Sequence, residues 1–305
     1  IIAFTGDEET TMETINSLVT EHRALVDAEY VLNTDAGGGY RDHNHDPVAY
    51  LLQAAEKTYI TYELTIRNPG GHSSRPRADN AIYELASVLK NIEAYRFPSR
   101  VNEVSQGYFR EMSTLVDGEL ADAMAGFAQD PGDEDAQDIL ERYPGEVGAT
   151  RTTCVATMLS AGHAENALPQ TASATVNCRI FPGVPAEEVQ AQLMRAADNP
   201  ALEIKVGYDA VEGPMSPLRE DVTATVSEAA NALYGAVPLV PYMAAGATDS
   251  LYTRLAGMPS YGVSGLFMRQ EDMFAHGLND LVPVDAFFMS LDYWHQVLTE
   301  LGSER

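Results

Sequence analysis

Ile1-Ile2-Ala3-Phe4-Thr5-Gly6-Asp7-Glu8-Glu9-Thr10 opens the chain as an apolar run that breaks at a glycine and delivers three consecutive carboxylates. The residues that follow, Thr11 to Ala28, carry Met12, Ile15, Leu18, Val19 and Leu25 at helical spacing. The stretch therefore reads as a buried strand, an acidic turn and a helix. In an open parallel sheet, ligands gather where strands end and helices begin. Three adjacent acids at such a place repel one another unless a cation or a helix N-terminus compensates them. A purely structural alternative is a capping box, with Thr5 as N-cap and Glu8 three residues on.

Working outward, Tyr30-Val31-Leu32-Asn33 is a second short strand, and it too ends in a carboxylate and a glycine-rich loop, Thr34-Asp35-Ala36-Gly37-Gly38-Gly39. Strand, helix, strand is the unit of a parallel α/β sheet. The pattern changes near Lys57. From Tyr59 to Asn68, Ile60, Tyr62, Leu64 and Ile66 alternate with Thr61, Glu63, Thr65 and Arg67, which predicts a half-exposed antiparallel strand. A turn at Asn68-Pro69-Gly70-Gly71 and a helix over 77–95 follow. Residues 97–148 are acidic and helix-prone, and read as an insertion. Strands over 152–160 and 171–181 flank the loop Asn166-Ala167-Leu168-Pro169, and a helix over 185–197 and a strand over 201–208 complete a split βαβ unit, ferredoxin-like in order. Beyond Pro214 and Pro217 come a helix over 222–234, buried strands at Val237 to Val240 and Pro259 to Val263, and a closing helix over 281–301. The expected organisation is an α/β domain, 1–56 and 212–305, interrupted by an α+β domain, 57–211, that carries the helical insertion.

Composition narrows the function classes. The formal net charge is −26, with three lysines, Lys57, Lys90 and Lys205. So negative a surface repels nucleic acid and anionic lipid, and no nucleic-acid or membrane partner is expected. No apolar run approaches the roughly 20 residues of a membrane span, so the visible chain reads as soluble, with its compartment open between cytoplasmic and periplasmic or secreted. Cys154 and Cys178 are too few for a disulfide scaffold or a cysteine zinc cluster. They lie twelve residues either side of Asn166, so a hairpin centred there sets the sulfurs face to face. The reading taken is two reduced core thiols, with a cross-strand disulfide as the alternative. The chain opens inside an apparent strand, with no initiator Met, which predicts that a preceding portion of the natural protein is absent from it.

Glu8, Glu9 and Asp35 converge on one sheet edge, and His276, in Ala275-His276-Gly277, follows another strand there. Carboxylates with an imidazole make a hard oxygen and nitrogen site suited to zinc, manganese or cobalt. Adjacent turn residues point different ways, so one of Glu8 and Glu9 can ligate while the other moves a proton. The remaining histidines read as ordinary, His43 and His45 in a polar loop, His22, His163 and His295 in helices or loops.

The stretches Thr5-Gly6-Asp7-Glu8-Glu9-Thr10, Asn33-Thr34-Asp35, Gly70-Gly71-His72-Ser73, Asn166-Ala167-Leu168-Pro169, Asn177-Cys178-Arg179-Ile180-Phe181-Pro182-Gly183, Gly246-Ala247-Thr248-Asp249 and Ala275-His276-Gly277 occur in that order. Together they resemble the di-zinc exopeptidases and deacylases related to glutamate carboxypeptidase, aminoacylase, acetylornithine deacetylase and succinyl-diaminopimelate desuccinylase, peptidase family M20. The resemblance implies a zinc-exopeptidase-like doubly wound sheet and a lid or dimerisation domain. It implies amide hydrolysis of a small peptide or N-acyl amino acid bearing a free carboxylate, with two zinc ions and a homodimer through the lid. By the same resemblance Glu8 is the general base, Glu9 and His276 ligate one metal, and Asp35 ligates the other. His72 stabilises the oxyanion in the partner subunit's site. Arg179 clamps the substrate carboxylate, Asn166 bonds the oxyanion or substrate backbone, and Gly246 and Thr248 line the pocket. The chain departs from the family in lacking the His-x-Asp pair and bridging Asp that precede the acidic turn. With Glu9, Asp35 and His276 alone it is expected to hold metal weakly and to be inactive unless completed. Outside this class stand a non-catalytic dimerising or peptide-binding remnant, and an α/β protein whose acids bind a cation for stability.

Overall fold

A computed structural model describes residues 1–207, 211–269, 272–273, 277–278 and 281–303. The chain divides into two units, Ile1–Glu56 with Val101–Ala149 and Gly213–Arg305, and Lys57–Arg100 with Thr150–Glu212. In chain order the elements are α1 (Glu13–Thr20), α2 (Arg23–Val26), β1 (Val31–Asn33), β2 (Gly38–Arg41), β3 (Pro47–Glu56), β4 (Thr58–Arg67), β5 (Gly71–His72) and α3 (Ala81–Ala94). Next come α4 (Glu103–Met112), α5 (Gly118–Gln129), α6 (Glu134–Leu140) and α7 (Pro144–Thr150). β6 (Thr153–Ala161), β7 (Ala167–Leu168), β8 (Thr171–Ile180), α8 (Ala186–Ala197) and β9 (Glu203–Val206) follow. α9 (Glu220–Tyr234), β10 (Leu239–Ala244), α10 (Ser250–Leu255), β11 (Ser260–Gly262), β12 (Phe267–Arg269) and α11 (Val284–Gly302) complete the chain.

The first unit is an α/β layer on a mixed sheet. β1 with β11, β10 with β3 and β12 with β2 are parallel, while β2 and β3 form an antiparallel hairpin. Its core gathers Tyr50, Leu52, Val222, Val226, Tyr261, Phe267, Tyr293 and Val297, which are the inward faces of β3, α9, β11, β12 and α11. The strand expected over the first four residues does not form. Ile1, Ile2 and Phe4 are 84%, 79% and 92% exposed. A strand is held by its ladder, and none of the described strands pairs with these residues.

The helical insertion packs differently from expectation. It was assigned with the second domain, but α4 to α7 bury Phe109, Met112, Met124, Phe127 and Leu140 together with Ala49 of β3 and Val240 of β10, inside the first unit. Phe109 and Phe127 meet edge to face at 5.0 Å. An apolar helical face goes where a complementary surface is offered, and here that surface is the first sheet.

The second unit is the split βαβ sandwich. Its four strands run in the order β6-β8-β4-β9, with every neighbouring pair antiparallel. β8 alternates buried and half-buried residues along its whole length, and Ala172, Ala174, Val176, Cys178 and Ile180 face inward. α3 begins at Asn80, whose side-chain oxygen accepts the N–H groups of Ile82 and Tyr83 at 3.0 and 3.4 Å. Cys154 and Cys178 are register partners on β6 and β8, and they are disulfide-bonded. The reduced-thiol reading is thereby corrected. Their Cα atoms are 4.1 Å apart, because the two residues stand directly opposite each other on neighbouring antiparallel strands. Among the described residues no helix is long and apolar enough to cross a membrane.

Candidate active site

The three acids of the opening turn divide their labour. The Asp7 carbonyl accepts the N–H groups of Thr10, Thr11 and Met12. Its carboxylate accepts Thr14 N–H at 3.2 Å and the Thr11 hydroxyl at 2.9 Å. Asp7 thus satisfies N–H groups at the start of α1, where the structural alternative had set a Thr5 and Glu8 box, and these bonds, with Thr14 foremost, hold its carboxyl below the usual range. Thr5 donates instead to the Asp249 carboxylate. Glu8 and Glu9 are left over for other work.

Glu8 is half-buried, and desolvation pushes its pKa up to about 7, reinforced by the negative charges of Asp35, Glu9, Asp249 and Glu56. Asp35 is raised by desolvation and by Glu9 and Asp249; Asp249 is raised by desolvation and by Asp7, against the bond from Thr5. The fold has collected like charges that oppose one another's ionisation. Asp35 is fixed by an Asx turn, its N–H donating to Asn33 Oδ1 at 3.0 Å, while Asn33 Nδ2 donates to Ser250 Oγ at 3.0 Å. Two residues on, Gly37 has φ +84°, and a side chain there would strike Gly262 O at 2.3 Å. Its N–H donates to the Tyr242 hydroxyl at 3.1 Å.

Behind the cluster lies a buried ion pair. Glu56 Oε1 and Arg254 Nη2 are 2.7 Å apart, with side chains 3% and 2% exposed. The other Glu56 oxygen accepts from Thr248 Oγ1 at 3.0 Å and from Gln53 Nε2 at 3.1 Å. Thr248 was expected at the pocket wall; its hydroxyl is buried and turned to Glu56, and accepts Ser250 N–H at 3.2 Å. Gly246 is exposed, with nothing within 4 Å of where a Cβ would stand. Sequence reasoning gave no role to Asp249, although Asp249 closes the quoted stretch Gly246-Ala247-Thr248-Asp249, and it missed Glu56 and Arg254 altogether.

Cation chemistry suits this set in kind, since crowded carboxylates are hard donors whose repulsion a divalent ion relieves. In number it falls short: among the described residues no group of three His, Cys, Asp or Glu side chains is placed to hold a metal ion. His276 lies outside the described residues.

The other predicted groups lie in the second unit. β5 and β7 form a two-stranded ribbon in which His72 pairs with Ala167, and Ser73 N–H donates to Asn166 O at 2.9 Å. The ribbon therefore brings His72 and Asn166 together. His72 Nδ1 is engaged by Ser74, whose N–H lies at 3.2 Å and whose hydroxyl lies at 2.9 Å, which leaves Nε2 for other partners. Arg179, on β8, lies with its guanidinium carbon 4.5 Å from the Tyr59 ring centroid, and burial lowers its pKa without discharging it.

Residues 54–205 match the family model of the peptidase dimerisation domain of M20 enzymes. The chain is 28% identical to the N-fatty-acyl-amino acid synthase/hydrolase PM20D1 of Xenopus tropicalis over 83% of its own length and 49% of that protein. It is 24% identical to aminoacylase-1 of Mus musculus, over 84% of this chain and 53% of that one. The chain thus spans about half the length of the curated relatives it matches. Its fold resembles the M20 family metallo-carboxypeptidase Sso-CP2 from Sulfolobus solfataricus with a TM-score of 0.64 at 19% identity, covering 96% of this chain and 68% of that one. Residues 54–205 are thus an M20 peptidase dimerisation domain, and the chain resembles M20 hydrolases along most of its length.

Proposed function

We propose that the whole protein hydrolyses an amide bond in a small peptide or N-acyl amino acid, with metal ions held at the acidic edge of the first unit. The observation that carries this reading is the crowding of Glu8, Asp35 and Asp249, whose carboxyls are all raised by one another or by burial. Glu9, Asp35 and His276 are the residues of this chain that would hold two zinc ions, with cobalt or manganese as substitutes. When bound, such ions supply Lewis acidity and an acidified water. Taken alone, the chain is expected to hold metal weakly, because catalytic sites use about three protein ligands per zinc.

Glu8 is the proton carrier. A carboxyl poised near pH 7 can take a proton at its oxygen and return it to a departing amine nitrogen. His72, with Nδ1 engaged by Ser74 and Nε2 left over, is suited to donate to a developing oxyanion. Arg179 offers two parallel N–H bonds to a substrate carboxylate, and Asn166 a bond to the substrate backbone. The likeness to a hydrolase of N-fatty-acyl amino acids and to an aminoacylase favours acyl amino acids among the substrates. A homodimer through the second unit fits the edge strand β6, which carries Val155, Met158 and Leu159 at 61%, 69% and 67% exposure.

The test is Glu8→Gln in the full-length protein with added Zn2+. Turnover of an N-acyl amino acid is expected to fall by roughly a hundredfold or more, and chelation by EDTA to abolish it. Unchanged turnover in Glu8→Gln would remove Glu8 from the mechanism. The shortage of three-ligand groups favours one other reading, a non-catalytic dimerising remnant. That reading predicts no metal uptake and no turnover in the full-length protein.

A further inference from the structure

Strand β3 carries one residue too many. Tyr242 and Met243 of β10 stand in register with Gln53 and Ala55, so Ala54 is passed over, and its carbonyl accepts Ser216 N–H at 2.9 Å. Residues three apart on a regular strand point to opposite faces, and one extra residue brings them to the same face. Gln53 and Glu56 accordingly meet, Nε2 donating to Oε2 at 3.1 Å. The bulge thereby turns the Glu56 carboxylate towards Arg254 and Thr248.

From that ion pair a continuous chain of bonds runs to the acidic edge. Arg254 Nη2 meets Glu56 Oε1 at 2.7 Å, and Glu56 Oε2 accepts the Thr248 hydroxyl at 3.0 Å. Thr248 Oγ1 in turn accepts Ser250 N–H at 3.2 Å. Ser250 Oγ accepts Asn33 Nδ2 at 3.0 Å, and Asn33 Oδ1 accepts Asp35 N–H at 3.0 Å. Glu56, Thr248, Ser250 and Arg254 are all buried. Stability is a poor account of the pair at its far end. Taking two charges out of water is repaid only where their remaining polar atoms are bonded too, and Arg254 Nε and Nη1 have no hydrogen-bond partner among the described residues. What the pair supplies is direction. The Thr248 hydrogen goes to a fixed carboxylate, which leaves a lone pair of the same oxygen for Ser250 N–H.

We propose that Glu56 and Arg254 are positioning residues, which fix the turn carrying the Asp35 carboxylate through Thr248, Ser250 and Asn33. Hydrogen bonds behind a ligating group set its direction, and with it the affinity for the ion. That Asp35 ligates a metal rests on the hydrolase reading above; the chain of bonds does not.

The experiment compares Thr248→Val, which removes the hydroxyl, with Thr248→Ser, which keeps it, both in the full-length protein. Hydrogen exchange over residues 33–37 is followed by mass spectrometry in the metal-free protein, and Zn2+ affinity by competition with a chromophoric chelator. In Thr248→Val the exchange is expected to quicken and zinc binding to weaken by about tenfold or more, while Thr248→Ser stays near wild type in both. Replacing the whole pair, Glu56→Leu with Arg254→Met, strands no buried charge and is expected to reproduce the loss of zinc affinity. Should that double variant not fold, the two Thr248 variants decide alone. The proposal is overturned by wild-type exchange or wild-type zinc affinity in Thr248→Val, by a Thr248→Ser as weak as Thr248→Val, or by a folded double variant that binds zinc like wild type. Quickened exchange in Thr248→Val of a protein that takes up no zinc would leave the chain of bonds standing and remove the hydrolase reading. Zinc uptake indifferent to these substitutions would do the reverse.

Discussion

Glu146 shows what a single buried carboxyl does to this fold. One of its oxygens accepts the Tyr108 hydroxyl at 3.3 Å, and the other has no hydrogen-bond partner among the described residues. Burial pushes its pKa up to about 7 from an ordinary 4.5, against the lowering effect of that bond. Between those two values the folded chain keeps a proton that the unfolded chain has released. Stability therefore falls as pH rises from about 4.5 to 7, and is flat on this account outside that window. Glu146→Gln is expected to remove the slope, stabilising the protein by about 3 kcal/mol at pH 7 and by little at pH 4.5. Urea unfolding of both proteins at the two pH values checks this; parallel pH dependence would acquit Glu146. Site residues differed in how far the sequence announced them for a related reason. Glu8 and Asp35 stand at turns after apolar runs, where a carboxylate is conspicuous. Glu56 and Arg254 are 198 residues apart in the chain and neutralise each other inside it. A buried ion pair leaves no periodic trace, so neither residue was legible. Thr248 was visible as part of a motif, but its direction was not, because the carboxylate it serves belongs to that same hidden pair.

In the proposed dimer, strand β6 is the element that carries the interface. It lies at the end of the second unit's sheet, bonded to β8 by its ladder and by the Cys154–Cys178 disulfide, with no strand on its other edge among the described residues. Exposed edges invite pairing, and proteins that stay monomeric blunt them with charge. From Thr153 to Ala161 there is no charged residue. Leu159→Glu is accordingly expected to shift a dimer to monomer in sedimentation velocity, while the far-ultraviolet spectrum and unfolding midpoint stay nearly unchanged, since the side chain is 67% exposed. A dimer that survives the charge would move the interface elsewhere. Strands β4 and β8 of this unit were readable because each buries one face, and period-two alternation is the direct record of that burial. The first unit was less so. Residues 1–4 have strand composition, but a strand also needs a neighbour, and composition says nothing about neighbours. The hairpin of β2 and β3 escaped notice because its inward residues, such as Tyr50 and Leu52, sit in a run buried on both faces, without alternation. Helical periodicity likewise identified the insertion as helical without naming the sheet it would cover.

Across the whole molecule, acid dominates. A formal charge of −26 on 305 residues, with most cations already paired, leaves a surface whose carboxylates repel one another over the Debye length. The unfolded chain spreads those charges apart, so repulsion weighs on the folded state. Salt shortens the range from about 10 Å at 0.1 M to about 3 Å at 1 M. Two opposing effects then compete. Screening weakens surface ion pairs such as Arg23 with Asp27 and Arg142 with Glu119, each contributing at most about 1 kcal/mol. It also weakens a far larger number of unfavourable acid–acid terms. The second effect should prevail, and the urea midpoint is expected to rise with sodium chloride from 0.1 to 1 M at neutral pH. At about pH 4, where Asp and Glu approach their ordinary pKa values, the net charge collapses and the same salt series should be nearly flat. A midpoint that falls with salt at neutral pH would mean that favourable pairs, not crowding, govern this surface. A rise of equal size at both pH values would point to preferential exclusion of the salt, and the charge argument would fail there too.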